Sequence, residues 1–188
     1  MKTTLLFILL LSVQFVNAQN SLELTPLGLT PVGNKEAKYI VFEKPGSQQE
    51  LYNCIKSFIV SRFQSPKDVM TENSPESIAL NAVADGIIVK KGFGYLDVNT
   101  NYTIVFHFKD GKIRVDLPSI NRMTALSSST VWQITINQQD PTDLVDHFYV
   151  FDKKGELKNE SAKSSIEKYF NNFLKDAIEF KAPANENW

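Results

Sequence analysis

Asn101-Tyr102-Thr103-Ile104-Val105-Phe106-His107-Phe108-Lys109-Asp110-Gly111-Lys112-Ile113-Arg114-Val115-Asp116-Leu117-Pro118 is the stretch on which the fold turns. Large apolar side chains alternate with smaller or polar ones on both sides of Asp110-Gly111, the period of a half-buried strand. Asp-Gly accepts the positive φ angles of a two-residue type I′ turn, so the stretch is predicted to be a β-hairpin. With that turn, Phe108 falls opposite Ile113, Phe106 opposite Val115 and Ile104 opposite Leu117. One face is greasy. The other carries Thr103, Val105, His107, Arg114 and Asp116, a mixed set that matches no catalytic group.

Upstream, Lys38 to Glu43 reads as a short strand closed by Pro45-Gly46. Ser47-Gln48-Gln49-Glu50 is a capping box, in which hydroxyl and carboxylate satisfy N–H groups left open in a helix's first turn. Leu51, Cys54, Ile55, Phe58 and Ile59 then repeat on one face of a helix, and Ser65-Pro66 ends it near Phe63. Asp68 to Thr71 is predicted to be a strand, Asn73-Ser74-Pro75 a turn, and Glu76 to Val83 a returning strand with Ile78, Leu80 and Ala82 on one side. Asp85-Gly86 reads as a second hairpin turn into Ile87 to Lys90. Gly92-Phe93-Gly94 lacks the G-x-x-x-x-G-K-[ST] pattern of a phosphate loop and reads as a bulge or loop between strands.

Downstream, Asn121 to Thr130 is a polar, serine-rich connection and Val131 to Ile136 a strand. Gln138 to Val145 is loop or a short helical turn, and His147 to Phe151 a strand. Ser164-Ser165-Ile166-Glu167 is a second capping box, heading a stripe of Ile166, Tyr169, Phe170, Phe173, Leu174, Ala177 and Ile178. About sixteen helical residues span about 24 Å at 1.5 Å each, close to the roughly 26 Å that eight strand residues cover. The predicted fold is therefore α+β, an antiparallel sheet with two amphipathic helices packed on one face. Each large side chain gains about 1.5–3 kcal/mol on full burial, so the hairpin's inward residues contribute about ten before entropy is charged.

A chain of 188 residues, 43% hydrophobic and 22% charged, suits one ordinary domain able to bury a core without metal or disulfide staples. Twenty Lys and Arg against 21 Asp and Glu leave no basic excess for a nucleic-acid partner. Lys2, the apolar run from Leu5 to Phe15 and the small residue Ala18 before Gln19 read as a secretory signal peptide over 1–18, too short to span a bilayer comfortably. The mature protein is thus expected to be soluble and exported, to the periplasm or beyond. Residues 19–37, with Pro26, Gly28, Pro31 and Gly33 among spaced leucines, form an extended arm that docks as an edge strand or stays mobile. Residues 38–181 form the domain, with 119–160 an insertion or extra strands, and 182–188 a frayed tail.

Cys54, the only cysteine, falls on the helix's apolar stripe and reads as a buried small hydrophobe rather than a reactive thiol. Asp140, Asp143, Asp146 and His147 lack the ligand alternation and glycine of a Ca²⁺ loop and read as a solvated acidic loop, so no metal or cofactor is expected. No G-x-S-x-G occurs to carry a nucleophile. Paired carboxylates for glycoside cleavage have no support in the sequence. Asn101-Tyr102-Thr103 and Asn159-Glu160-Ser161 match the glycosylation sequon, for which chance or helix capping is an equal explanation.

Glu50-Leu51-Tyr52 opening the first helix, Gly86-Ile87-Ile88, and Tyr102-Thr103-Ile104 through Phe108-Lys109-Asp110-Gly111-Lys112-Ile113-Arg114 together resemble a family. It is the group of exported Bacteroidota domains of unknown function with a TATA-box-binding-protein-like (TBP-like) fold. The resemblance covers Tyr39 to Ile120 and, more weakly, the last helix. It implies a β-α-β4-α order with an insertion before the last helix. It brings no established activity and no functional residues, and the fold name does not import DNA binding.

The leading functional expectation is a non-catalytic envelope domain that binds a protein, peptide or glycan through the open sheet face near Val105, His107, Arg114 and Asp116. The alternative, prompted by thirteen phenylalanines, is a carrier of a small lipid-like molecule held between helices and sheet. An enzyme is the weakest reading.

Overall fold

The computed structural model describes residues 21–127, 130–138 and 146–181. The expected signal peptide, the loop at 139–145 and the tail at 182–188 lie outside the described residues. The chain forms β1 (Leu22–Thr25), β2 (Gly28–Pro31), β3 (Tyr39–Glu43), α1 (Gln48–Arg62), a one-turn α2 (Pro66–Val69), β4 (Met70–Asn73), β5 (Ser77–Lys91) and β6 (Gly94–Lys109). There follow β7 (Lys112–Asp116), β8 (Ser119–Ser127), β9 (Thr130–Asn137), β10 (Asp146–Phe151) and α3 (Glu160–Glu179). Strands β3 to β10 make an eight-stranded sheet, and β1 with β2 a separate hairpin.

The sheet is built on β6, which pairs with β5 from Gly94 to His107. Its other edge is shared: β7 takes Phe106 to Lys109, and β8 takes Val98 to Thr103. The sheet therefore forks along β6, with β3 beyond β7 on one branch and β9 then β10 beyond β8 on the other. Phe108 pairs with Ile113 and Phe106 with Val115 about a turn at Asp110-Gly111, where Gly111 has φ 73°. Ile104 does not face Leu117; it pairs with Leu80 of β5. The cause is Pro118, which has no N–H to continue the ladder. The strand leaves β6 at Leu117, whose N–H bonds Lys38 O at 3.2 Å, and resumes as β8 with Ser119 opposite Thr103.

Alternate residues of β6, from Leu96 through Val98, Thr100, Tyr102, Ile104 and Phe106 to Phe108, are all buried. Helix α1 meets this row where the Tyr52 ring stands edge-on to Phe108, centroids 5.6 Å apart. Helix α3 meets it where Phe170 and Phe173 close on Tyr102 at 5.2 and 6.0 Å. The helices touch through Phe58 and Phe173. Ser47 and Glu50 form the predicted box at the head of α1, and the helix ends at the predicted Phe63 cap. Cys54 is half-buried rather than buried, because it sits at the rim of the stripe with its S–H donated to Phe180 O at 3.1 Å.

Several expectations are corrected. Asp68-Val69 belongs to α2, because Pro66 at a first-turn position favours a helical start, and the strand begins at Met70. Asp85-Gly86 is a bulge, not a turn: β5 runs through it, with Ala84 opposite Thr100 and Ile87 opposite Val98. One extra residue on β5 shifts the buried set from Ile78, Leu80, Ala82 and Ala84 to Ile87 and Val89, and Gly86 takes φ 80°. The serine-rich connection is strand β8, whose Met123 and Ala125 face inward on either side of Thr124. Helix α3 starts at Glu160, because Asn159 Oδ1 accepts Ala162 N at 2.7 Å; this sequon is a cap. Ser165 of the rejected second capping box and Ser161 of the sequon face β5 instead: Ser165 donates to Ile88 O at 2.6 Å, and Ser161 Oγ accepts Lys90 N at 2.9 Å. They close the β5 edge at Ile88 and Lys90, beyond the stretch from Ser77 to Leu80 that β4 covers. The arm folds back as β1–β2 and seats Leu22, Leu24 and Leu29 in the core.

Thr100, at 0% exposure, has a buried hydroxyl without a hydrogen-bond partner among the described residues. An unpaired buried hydroxyl carries its full desolvation cost, and valine has nearly its shape. Thr100→Val is therefore expected to raise the unfolding free energy by about 1 kcal/mol, read as a higher urea midpoint at unchanged slope.

Candidate functional site

On the face of the sheet opposite the helices, β3, β7 and the end of β6 lie side by side. Pairing sets Tyr39 against Asp116, Val41 against Arg114 and His107 against Arg114, so all of these side chains project to one side of the pleat. Three of the four residues predicted for the site are joined. His107 Nε2 lies 2.9 Å from Asp116 Oδ2, and Arg114 Nε lies 3.3 Å from Asp116 Oδ1. A carboxylate only accepts, so in the neutral histidine the Nε2–H tautomer donates. Val105 shares the face two positions along β6, opposite Ala79, outside that network.

The structure adds residues that the hairpin could not show. The Arg114 guanidinium lies 5.2 Å from the Tyr39 ring centroid, and Lys112 pairs with Glu43 at 2.9 Å. Both partners come from β3, whose alternation of Tyr39, Val41 and Glu43 with inward residues was the available signal. A groove of about 490 Å³ opens between Tyr39, Val41, His107, Lys109, Lys112 and Arg114, with Glu76 and Gln48 at its end. Lys109, Lys112 and Arg114 line the groove with Glu76, and Glu43 and Asp116 pair with Lys112 and Arg114, which leaves Lys109 without an ion-pair partner among the described residues. Ser77 pairs with His107 across β5 and β6, giving a Ser-His-Asp order over three strands. No hydrogen bond joins Ser77 to His107 among the described residues, and the strand amides around them are engaged in ladders, which leaves no pair of N–H groups aimed at an oxyanion.

Away from this face, Lys56 and Tyr52 both donate to Glu72 and hold its carboxyl below the usual range, Lys56 acting most strongly. This cluster ties α1 to β4. Between β6 and α3, where an apolar ligand would lie, Tyr102, Tyr169, Phe170 and Phe173 fill the space with ring centroids 5.2 to 6.3 Å apart. Of the expected acidic loop, Asp140 and Asp143 fall outside the described residues, and Asp146 and His147 open β10. No helix among the described residues is long and apolar enough to cross a membrane.

No protein-family model matches the sequence, and no curated protein matches it. Two solved structures are similar to the chain. One is a DUF4468 family protein from Bacteroides ovatus ATCC 8483, 19% identical, with 79% of this chain and 87% of that one covered at a TM-score of 0.46. The other is a TBP-like protein from Parabacteroides distasonis ATCC 8503, 11% identical, with 76% and 92% covered at a TM-score of 0.45. Both sources are Bacteroidota, and the second protein is named for the fold that the sequence resemblance implied.

Proposed function

We propose that this is an exported, non-catalytic domain of the cell envelope that binds an extended, acidic segment of a protein or peptide on the open face of β3, β7 and β6. Export rests on residues 1–18, and the architecture is read as a β-α-β4-α fold with β8, β9 and β10 inserted before the last helix. The observation that carries the binding is the edge of β3 that no described strand covers, beside a groove that presents Lys109, Lys112 and Arg114. Leu117 N bonds Lys38 O and Lys44 N bonds Gly111 O, which assigns the even positions of β3 to the β7 ladder. The N–H and C=O groups of Tyr39 and Val41 therefore point to the outer edge. A shallow second groove of about 330 Å³ runs along that edge between Val41 and Val32-Gly33-Asn34. An extended peptide adds to such an edge through its backbone, and its acidic side chains then reach Arg114, Lys109 and His107.

The test is fluorescence anisotropy with a labelled peptide of alternating Glu and Val. The double variant His107→Ala, Arg114→Ala is expected to weaken binding about tenfold or more without lowering the melting temperature. Equal binding by that variant, or equal binding of a Lys-Val peptide, overturns the reading. So does a variant that binds glycans on an array as the wild type does while no peptide binds either.

A further inference from the structure

At the other end of β6, Phe93 stands at 111% of its reference exposure. It occupies the turn between β5 and β6, and its neighbours Gly92 and Gly94 carry no side chain to shelter the ring. Gly92 takes φ 57°, the conformation that makes so tight a reversal available. Directly behind the tip, Lys90 pairs with Tyr95 on the outer face, where Tyr95 is 72% exposed. Ile88 follows, also exposed, and Asp97 opposite it ends the apolar surface. From Gly86 to Leu96 the only charges are those of Lys90 and Lys91.

The stem below the tip is held firmly. Lys90 N–H donates to Ser161 Oγ at 2.9 Å, and Ser165 Oγ donates to Ile88 O at 2.6 Å, so the first two turns of α3 clamp the edge of β5. Val89 and Leu96 turn inward and are buried. The tip lies five positions beyond the rung between Val98 and Ala125, the last that β6 shares with β8.

We propose that this hairpin tip is a membrane wedge, which sets Phe93 and Tyr95 among the headgroups of an anionic bilayer while Lys90 contacts the lipid phosphates. The shape selects this occupant. A stable protein interface buries about 800 Å² on each partner, whereas two aromatic side chains supply about 300–500 Å². A protruding ring needs a soft phase that closes around it, and a bilayer interface does so without a preformed pocket. Tyrosine and other aromatic rings favour the headgroup layer, and lysines beside them are drawn to its negative potential. The charge matches too, since no acidic side chain interrupts the segment. Phe93 and His107 are fourteen positions apart, about 46 Å at 3.3 Å per residue, so the wedge and the proposed binding face are separate surfaces and either can fail alone.

The experiment uses the protein from Gln19 onward, which contains every described residue and lacks the apolar leader. It is sedimented with vesicles of phosphatidylethanolamine and phosphatidylglycerol, and with vesicles of phosphatidylcholine alone. Binding is expected to the first, weaker at high salt. Phe93→Ser with Tyr95→Ser is expected to reduce it about tenfold or more at an unchanged melting temperature. Lys90→Glu is expected to weaken the preference for phosphatidylglycerol. Phe93→Trp is expected to keep binding and to shift its emission to shorter wavelength when vesicles are added. Failure of the wild type to sediment with the anionic vesicles, or equal sedimentation of the Phe93, Tyr95 variant, overturns the proposal. Self-association that depends on Phe93 without vesicle binding also overturns it, in favour of a second copy.

Discussion

Leu24→Ala is expected to lower the unfolding free energy by about 2–5 kcal/mol, the range for deleting a buried leucine from a packed site. Leu24 lies in β1 at 1% exposure, within a segment whose prolines and glycines give no sign of a fixed place. Helix α3 holds it there. Asn171 Oδ1 accepts Leu22 N at 2.7 Å, Asn171 Nδ2 donates to Leu22 O at 2.9 Å, and Glu167 Oε1 accepts Leu24 N at 2.7 Å. Side chains of the helix thus stand in for a neighbouring strand, and three leucines of the hairpin enter the core above them. Leu27→Ala, at 86% exposure in the turn between β1 and β2, is the control and is expected to change stability by less than about 0.5 kcal/mol. Urea unfolding of both variants decides the matter. A Leu24→Ala protein as stable as the wild type would mean that the hairpin is not seated on α3.

The parts of this fold that were legible are those in which one local rule decides. Asp110-Gly111 between two alternating runs left no rival to a hairpin, and Ser47 with Glu50 marked the start of α1 to the residue. The parts that were misread are those in which two local rules compete and long-range pairing chooses. Asp85-Gly86 is as good a turn as Asp110-Gly111 by composition. It becomes a bulge because β6 continues unbroken opposite it, which residues 85 and 86 cannot reveal. The clue was the change of parity from Ala84 to Ile87, two inward residues three apart. Likewise Ser164-Ser165-Ile166-Glu167 has the chemistry of a cap, yet Asn159 begins the helix earlier because the β5 edge needs the hydroxyls of Ser161 and Ser165.

The candidate face shows the same division. His107, Arg114 and Asp116 were placed on one side by the hairpin's own register, and they do bond one another. Tyr39 and Val41 complete the groove, and Glu43 pairs with its Lys112, from a strand about seventy residues earlier in sequence, and no short-range pattern states which strand β7 will pair with. Cys54 was misjudged for a related reason. The helical stripe gave its direction but not its depth, and depth depends on Phe180, which closes the rim from the far end of α3.

Phe170→Ala is expected to cost about 3–5 kcal/mol, because the ring is fully buried and joins sheet to helix. Phe170 stands edge-on to both Tyr102 and Tyr169, each centroid 5.2 Å away, so its removal leaves a void bounded by two rings that cannot collapse together without breaking their own contacts. The hydroxyls in the same cluster are expected to matter far less. Tyr102 OH lies 3.3 Å from Tyr169 OH, and burial above all, then the neighbouring phenol, pushes the Tyr102 pKa upward; the proton stays on and the group acts as a neutral hydrogen-bonding phenol. Removing both oxygens together, as Tyr102→Phe with Tyr169→Phe, leaves no buried polar atom unpaired and keeps every ring in place, so the double variant is expected to lie within about 1 kcal/mol of the wild type. Removing one alone strands the other, and Tyr169→Phe is expected to cost more than the pair does. The three proteins, unfolded in urea beside Phe170→Ala, separate packing from hydrogen bonding. If the double Phe variant fell as far as Phe170→Ala, the cluster would be held by its hydroxyls and not by its interlocked rings.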